Sequence, residues 1–531
     1  MTLDLLFKNA RVIDGTGNPW RRFDVGIQAG RIVAVAPGLD LPAAEVMDVG
    51  DHYLTPGFID LHVHADLQIL LDPAWACEIA QGVTTILIGQ DGMGLAPVST
   101  STAALLASQL RAWNGPSDSS QWGWRSLDDY LRAIEGAGPA PNVAMMAPHG
   151  TIRLLAMGEA ARPAETAEIE HMRQIAHDCM EAGAFGLSAG LAYTPGTFAT
   201  DDEVVALCAV AAPYGGFYQP HHRDYGFGAM QGYRESIAIG RRAGVPVHLT
   251  HAHMSFRPNE GRAEELIAAV DAARSDGHDV TLDSYPYLAG STYLHAFVPS
   301  WAQAGGYDAM VHRLQDGGSR ERIRKELEET GSDGLGGVPI EWDKLVISGA
   351  TQPQNLVLVG HSVAEAASQS GRQAFDIYAD VLISEGGGAG CLLFIGFEAN
   401  VRRIMAHPAH MPASDGLVVG AMPHPRAWGS FVRYIEEYSK KLGLIRLEEM
   451  IRKMTSAPAQ RLGLLNRGLI RQGMAADMVV IDLDALSDRA TYSSPRAHPE
   501  GIVHVLVNGT FAVRDGALTA ERGGQVLRRR G

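Results

Sequence analysis

Over about the first 55 residues, apolar and polar positions alternate in short runs, LLFKNARVIDGTG, DVGIQAGRIVAVAP and AAEVMDVGDHYLTPG, punctuated by Gly and Pro. A period of two broken by turn residues predicts short strands. The same texture returns near the other end, in GLIRQGMAADMVVIDLD and GIVHVLVNGTFAVRDGALT. Together the two sets predict one small β-sandwich, built from residues 1–56 and 468–531.

Between them the pattern changes. Short apolar runs (FIDLHVH, VTTILIGQ, NVAMMAPHG, FGLSAG, PVHLTHAH, DVTLDSYPY) alternate with amphipathic stretches such as AETAEIEHMRQIAHDCMEAG. Buried strands alternating with helices predict βαβ units and a parallel sheet. The number of repeats suits an α/β fold of the (β/α)8 barrel type over residues 57–467. A doubly wound sheet would carry a glycine fingerprint opening a βα unit, and none is present. Residues 291–337 are polar, Gly-rich and partly helical, which reads as an insertion late in the barrel acting as a lid. The LRRR tail reads as a frayed chain end.

Composition narrows the classes of function. The 531 residues are 46% hydrophobic and 20% charged, with 44 Lys and Arg against 60 Asp and Glu, a formal net charge of −16. Such a surface repels phosphate backbones and anionic lipid, so neither nucleic acid nor membrane is an expected partner. Cys77, Cys179, Cys208 and Cys391 are widely spaced and form no CxxC pair. That fits a reducing compartment. With no signal-peptide pattern and no apolar run of membrane-spanning length, the expected location is cytoplasmic.

The chemistry lies in the histidines. In FIDLHVHAD, His62 and His64 are two apart on a strand, so both imidazoles face one side. At the C-terminal end of a barrel strand such a pair is placed to bind a divalent transition metal. VTTILIGQDG adds Asp91, GGFYQPHHRD adds His221 and His222, and VPVHLTHAH adds His248, His251 and His253. Strand alternation makes His222 and His248 surface or core residues. Imidazole with carboxylate suits zinc, and also manganese or iron. The absence of sulfur favours a catalytic site with an open position over a structural one. In MPASDGLVVG, Asp415 follows the last expected strand, where its carboxylate can take a proton from water and return it to a leaving group. In HPRAWGSF, Arg426 is a fork for a substrate carboxylate or one half of a structural ion pair.

With these motifs in view, the chain resembles the amidohydrolase superfamily and, within it, the N-acyl-D-amino-acid deacylase (D-aminoacylase) family. The likeness covers nearly the whole chain. GLAYTPG, YPYLAGST and HPRAWGSF carry the family-level resemblance, while PGFIDLHVHAD and GMAADMVVID are shared across the superfamily. The resemblance implies metal ligands at His62, His64, His221 and His251, and Asp415 as catalytic acid/base. It implies substrate-binding positions at Tyr193, Tyr285, Ser291 and Arg426.

Two positions depart from the family pattern. GQDG places Asp91 where the family has a cysteine ligand, and His253 stands at the family's lysine. Aspartate is a harder ligand than thiolate, which bears on metal preference and on whether one ion or two are held. The expected activity is hydrolysis of an amide in an N-acyl-D-amino acid or related small-molecule N-acyl compound, by metal-activated water with Asp415 as proton shuttle. The expected cofactor is zinc, one or two ions, with Mn2+ or Fe2+ as alternatives. A homo-oligomer is compatible with the sequence. The competing readings are a cyclic amide or lactone hydrolase of the hydantoinase or dihydroorotase kind, and a non-catalytic barrel used as a binding subunit.

Overall fold

The structure is a computed structural model that describes residues 2–529. Eight parallel strands form a ring: Phe58–Asp60, Val83–Ile88, Asn142–Met145 continuing into Ala147–Pro148, Gly186–Gly190, Phe217–His221, Val247–Leu249, Val280–Ser284 and His410–Pro412. The ring closes between the first and eighth strands just beyond their ends. Asp415 N–H donates to the His62 carbonyl at 2.8 Å, and His64 N–H to that of Gly416 at 3.0 Å.

The second, fourth, fifth and seventh strands are buried at every residue, because a parallel barrel strand is covered by side chains inside and helices outside. The outer helices follow from amphipathic spacing. Thr166–Glu181 buries Met172, Ala176, Cys179 and Met180 along one face. Leu127–Ala137 starts at a capping box in which Ser126 and Asp129 satisfy each other's backbone N–H groups. The expected α/β barrel is therefore present.

The chain ends join in one nine-stranded sheet. The joint is the antiparallel pair Tyr53–Pro56 with Met478–Ile481, which seats Leu54, Met478 and Val480 on the same small core as Phe7, Val25, Ile27 and Leu506. The tail beyond it corrects the expectation of fraying. Leu527 N–H donates to the Val143 carbonyl at 2.7 Å, Arg528 pairs with Asp128 at 2.7 Å, and Arg529 N–H donates to Gly183 at 2.9 Å. Its basic side chains answer carbonyls and the carboxylates of Asp128 and Glu135, while Arg530 and Gly531 lie outside the described residues.

Between the seventh and eighth barrel strands the chain makes a long excursion. It contains an antiparallel sheet in which Gly390–Phe394 pairs with both Ala289–Tyr293 and Leu345–Gly349. Residues 291–337 belong to this excursion but do not exhaust it. No helix among the described residues is long and apolar enough to cross a membrane.

Candidate metal centre and substrate pocket

Six ionisable side chains from five strand ends meet at the C-terminal mouth of the barrel. His62 and His64 leave the first strand, Asp91 the second, His221 the fifth, His251 the sixth and Asp415 the eighth. All six are buried. The Asp91 carboxylate sits among the imidazoles, 3.6 Å from His62 Nε2, 3.6 Å from His64 Nε2, 3.5 Å from His221 Nδ1 and 3.7 Å from His251 Nε2. Asp415 Oδ1 is 3.1 Å from His64 Nε2 and 3.5 Å from His62 Nε2. These residues form three overlapping triads whose donor atoms lie within 4.8 Å of one another: His62/His64/Asp91, His62/His251/Asp415 and Asp91/His221/His251.

The backbone is bent to achieve this. Asp91, His251 and Asp415 take φ of 53°, 30° and 50°, a region L-residues occupy at a cost of about 1–3 kcal/mol each. Asp91 lies in the turn GQDG, where Gly190 behind it leaves no room for a side chain; a Cβ there would stand 2.1 Å from the Asp91 carbonyl oxygen. Ser188 pins the turn by donating to the Gly89 carbonyl at 2.5 Å and accepting from Gly92 N–H at 3.1 Å.

The carboxylates decide the local protonation. Burial opposes charge on His62, but Asp415, Asp283 and Asp91 around it push its pKa up to about 10. Burial dominates at His221 and brings it down to about 4, so that imidazole is neutral at pH 7 and free to donate a lone pair. Against the cost of burial, Arg426 and His62 hold the Asp415 carboxyl below its usual range.

Above the cluster lies a pocket lined in part by Tyr193, Tyr285, Ser291 and Arg426. Arg426 is fully buried, its Nη1 2.9 Å from Asp415 Oδ2 and its guanidinium 4.6 Å from the centre of the Tyr285 ring. Its Nε has no hydrogen-bond partner, so the fork has capacity to spare. His253 does not line the pocket. It lies beneath Tyr285, 4.1 Å ring to ring, and its Nε2 accepts the Tyr285 backbone N–H at 3.2 Å. Burial lowers its pKa to about 3, so it is a neutral prop for Tyr285 and not a cation facing substrate.

The comparisons with known proteins agree with this geometry. A family model described as the amidohydrolase family matches residues 45–513. An N-acyl-D-glutamate deacylase of Alcaligenes xylosoxydans xylosoxydans is 35% identical over 99% of this chain and 97% of that protein. The D-aminoacylase of the same organism is 33% identical over 99% and 98%. The chain belongs to the amidohydrolase family. Among solved structures, the N-acyl-D-glutamate deacylase of Bordetella bronchiseptica, complexed with zinc and a phosphonate mimic of the tetrahedral intermediate, superimposes with a TM-score of 0.85. It is 32% identical, over 99% of this chain and all of that one.

Several residues of this amidohydrolase's site escaped the sequence reading. Asp283, at the end of the seventh strand, accepts from His251 N–H at 2.6 Å and pairs with His248 Nε2 at 3.0 Å; its Oδ2 stands 3.7 Å from His62 Nδ1. Gln90 and Gln219 both donate to the Leu61 carbonyl, at 3.0 and 2.9 Å, and so steady the strand that carries His62 and His64. Trp113 packs its ring 4.5 Å from His64 and walls the pocket together with Tyr193. Asp283 could have been found, since it stands in the same DSYPY run as Tyr285. Trp113 comes from a short helix with no signal of its own.

The donor set fits a metal ion. His62 Nε2, on the side of Asp91 and Asp415, and Oδ1 of Asp91 are buried without a hydrogen-bond partner, a costly arrangement that a cation would answer. Nitrogen and oxygen donors without sulfur suit zinc, manganese or iron.

Proposed function

We propose that this amidohydrolase cleaves the amide of an N-acyl-D-amino acid or a closely related N-acyl compound. The observation that carries the reading is the adjacency of two unlike features: a buried His/Asp donor cluster, and a guanidinium with spare donors on the far side of Asp415. The deacylases to which the chain is similar support the substrate class and the preference for D configuration.

His62, His64, Asp91, His221 and His251 would hold zinc, one ion or two, with Asp91 central enough to serve both positions. Mn2+ and Fe2+ are the alternatives. A bound divalent cation supplies Lewis acidity that polarises the scissile carbonyl and makes a nearby water acidic. Asp415 takes the proton from that water and returns it to the departing amine. Arg426 and His62 keep it ionised. Arg426 and Ser291 hold the α-carboxylate, and Tyr193 and Tyr285 frame the substrate while excluding water.

We assign residues 57–467 to the catalytic barrel, 1–56 and 468–531 to the β-sandwich, and 291–337 to a lid. A cytoplasmic location accords with four buried, unpaired cysteines. The test is Asp415→Asn. Metal content should stay near that of the wild type while kcat falls by roughly 10²–10⁴-fold. Near-normal turnover would remove Asp415 as the proton shuttle.

A further inference from the structure

One part of the pocket wall is apolar. Phe256 comes from the loop after the sixth strand, Ala296 and Phe297 from the turn after Ala289–Tyr293, and Leu393 and Ile395 from the inserted strand Gly390–Phe394 and the residue after it. These pieces are tied together. Phe256 N–H donates to the Ile395 carbonyl at 2.9 Å, and Ser332 Oγ donates to that of Phe297 at 2.7 Å. The lobe is therefore a formed surface.

Its place fixes what it faces. Leu393 is the register partner of Gly290, next to Ser291, and Arg426 Nη2 reaches the Ser291 carbonyl at 3.4 Å. The apolar lobe thus adjoins the carboxylate-binding corner. A group bound there is a substituent of the same carbon that bears the carboxylate, the amino-acid side chain. Among the residues lining the pocket, Arg426 is the one permanent cation, and it is shared between Asp415 and the α-carboxylate. His253, at the position where the family has a lysine, lies behind Tyr285 with its Nε2 accepting the Tyr285 backbone N–H, and does not line the pocket. The lobe's polar groups are the hydroxyls of Ser255 and Tyr225, and the latter is held 3.0 Å from His251 Nδ1.

We infer that the lobe formed by Phe256, Ala296, Phe297, Leu393 and Ile395 is a specificity pocket for an uncharged, chiefly apolar amino-acid side chain and rejects acidic ones. A second carboxylate in the lobe would lose its water to apolar side chains with no cation among them. The solved relative and one of the curated relatives are named for D-glutamate, so this sets the chain apart from them within one fold. The inference rests on the reading of the site as an N-acyl-amino-acid hydrolase.

The experiment compares N-acetyl-D-methionine, N-acetyl-D-glutamine and N-acetyl-D-glutamate as substrates of the metal-loaded wild type. Glutamine and glutamate differ in charge at nearly constant shape, so their ratio isolates the missing cation. The expected kcat/KM order is methionine, then glutamine, with glutamate at least about 100-fold below glutamine. Binding of the same three amides to Asp415→Asn, read by calorimetry, should follow the same order. Ile395→Arg, at a half-buried position lining the pocket, should raise the glutamate-to-glutamine ratio by about tenfold or more. Glutamate handled as well as glutamine by the wild type would overturn the lobe's assignment and leave the hydrolase reading standing. No hydrolysis or binding of any of the three would remove that reading, and the assignment with it.

Discussion

The floor of the pocket brings together six buried ionisable side chains, whereas the wall beside the carboxylate corner presents five apolar ones. The floor comes from ends of barrel strands and carries left-handed backbone at Asp91, His251 and Asp415. Of the wall, Leu393 lies in the inserted antiparallel sheet, Ala296, Phe297 and Ile395 lie just beyond the ends of its strands, and Phe256 comes from the loop after the sixth barrel strand. Crowded carboxylates and bent backbone are expensive, and the barrel supports them through Ser188, Asp283, Gln90 and Gln219. The apolar wall buries no charge. The two regions therefore divide the work: the floor sets metal binding and chemistry, and the wall sets which amide is admitted.

Substitutions can break or sharpen that division. The largest effect is expected at Asp91→Asn, which keeps the shape but removes the charge central to the cluster. Metal affinity should fall by more than about 100-fold, read by metal analysis and chelator competition, with kcat/KM following it. Next comes Asp283→Asn. It does not line the pocket but bonds the His248 ring and the His251 backbone N–H, and should weaken metal affinity by about 10–100-fold. Unchanged affinity there would mean that His251 is positioned by its own backbone.

On the wall, Leu393→Ala should raise KM for apolar substrates by about tenfold while metal content and kcat stay within about twofold. A parallel loss of metal would erase the separation between the two regions.

The smallest effect belongs to a buried carboxyl outside both regions. Burial raises the Asp488 pKa to about 6, with Tyr287 Oη 3.3 Å away and Arg433 3.7 Å away. The folded chain therefore keeps a proton that the unfolded chain, titrating near 3.8, has released. Stability falls as pH rises across that interval, and the full cost is present above about pH 6. Asp488→Asn should therefore stabilise the protein by about 1–3 kcal/mol at about pH 8 and by almost nothing at about pH 4, measured by thermal melts.

How much of this was legible in the sequence differs between the same two regions. His62 and His64 announce the floor because strand alternation puts residues two apart on one face. The helical and strand periods announce the barrel. Alternation fails beyond Leu249, where His251, Met254 and Phe256 all take positive φ, and so His253 turns away from the pocket that period two would give it. The wall was hidden for another reason. GCLLF reads like one more barrel strand, yet its hydrogen bonds go to Ala289–Tyr293 and Leu345–Gly349, a pairing that no local pattern encodes. The tail was misread because the groups that answer Arg528 and Arg529 lie hundreds of residues earlier in the chain.

The most direct test of the account is metal dependence of amide hydrolysis. Purified wild type would be analysed for metal, stripped with a chelator, and assayed on N-acetyl-D-methionine before stripping, after it, and after zinc is restored. The account predicts amine release that is lost with the metal and recovered with zinc. Turnover that survives complete removal of metal, or a fully loaded protein that releases no amine, would contradict it.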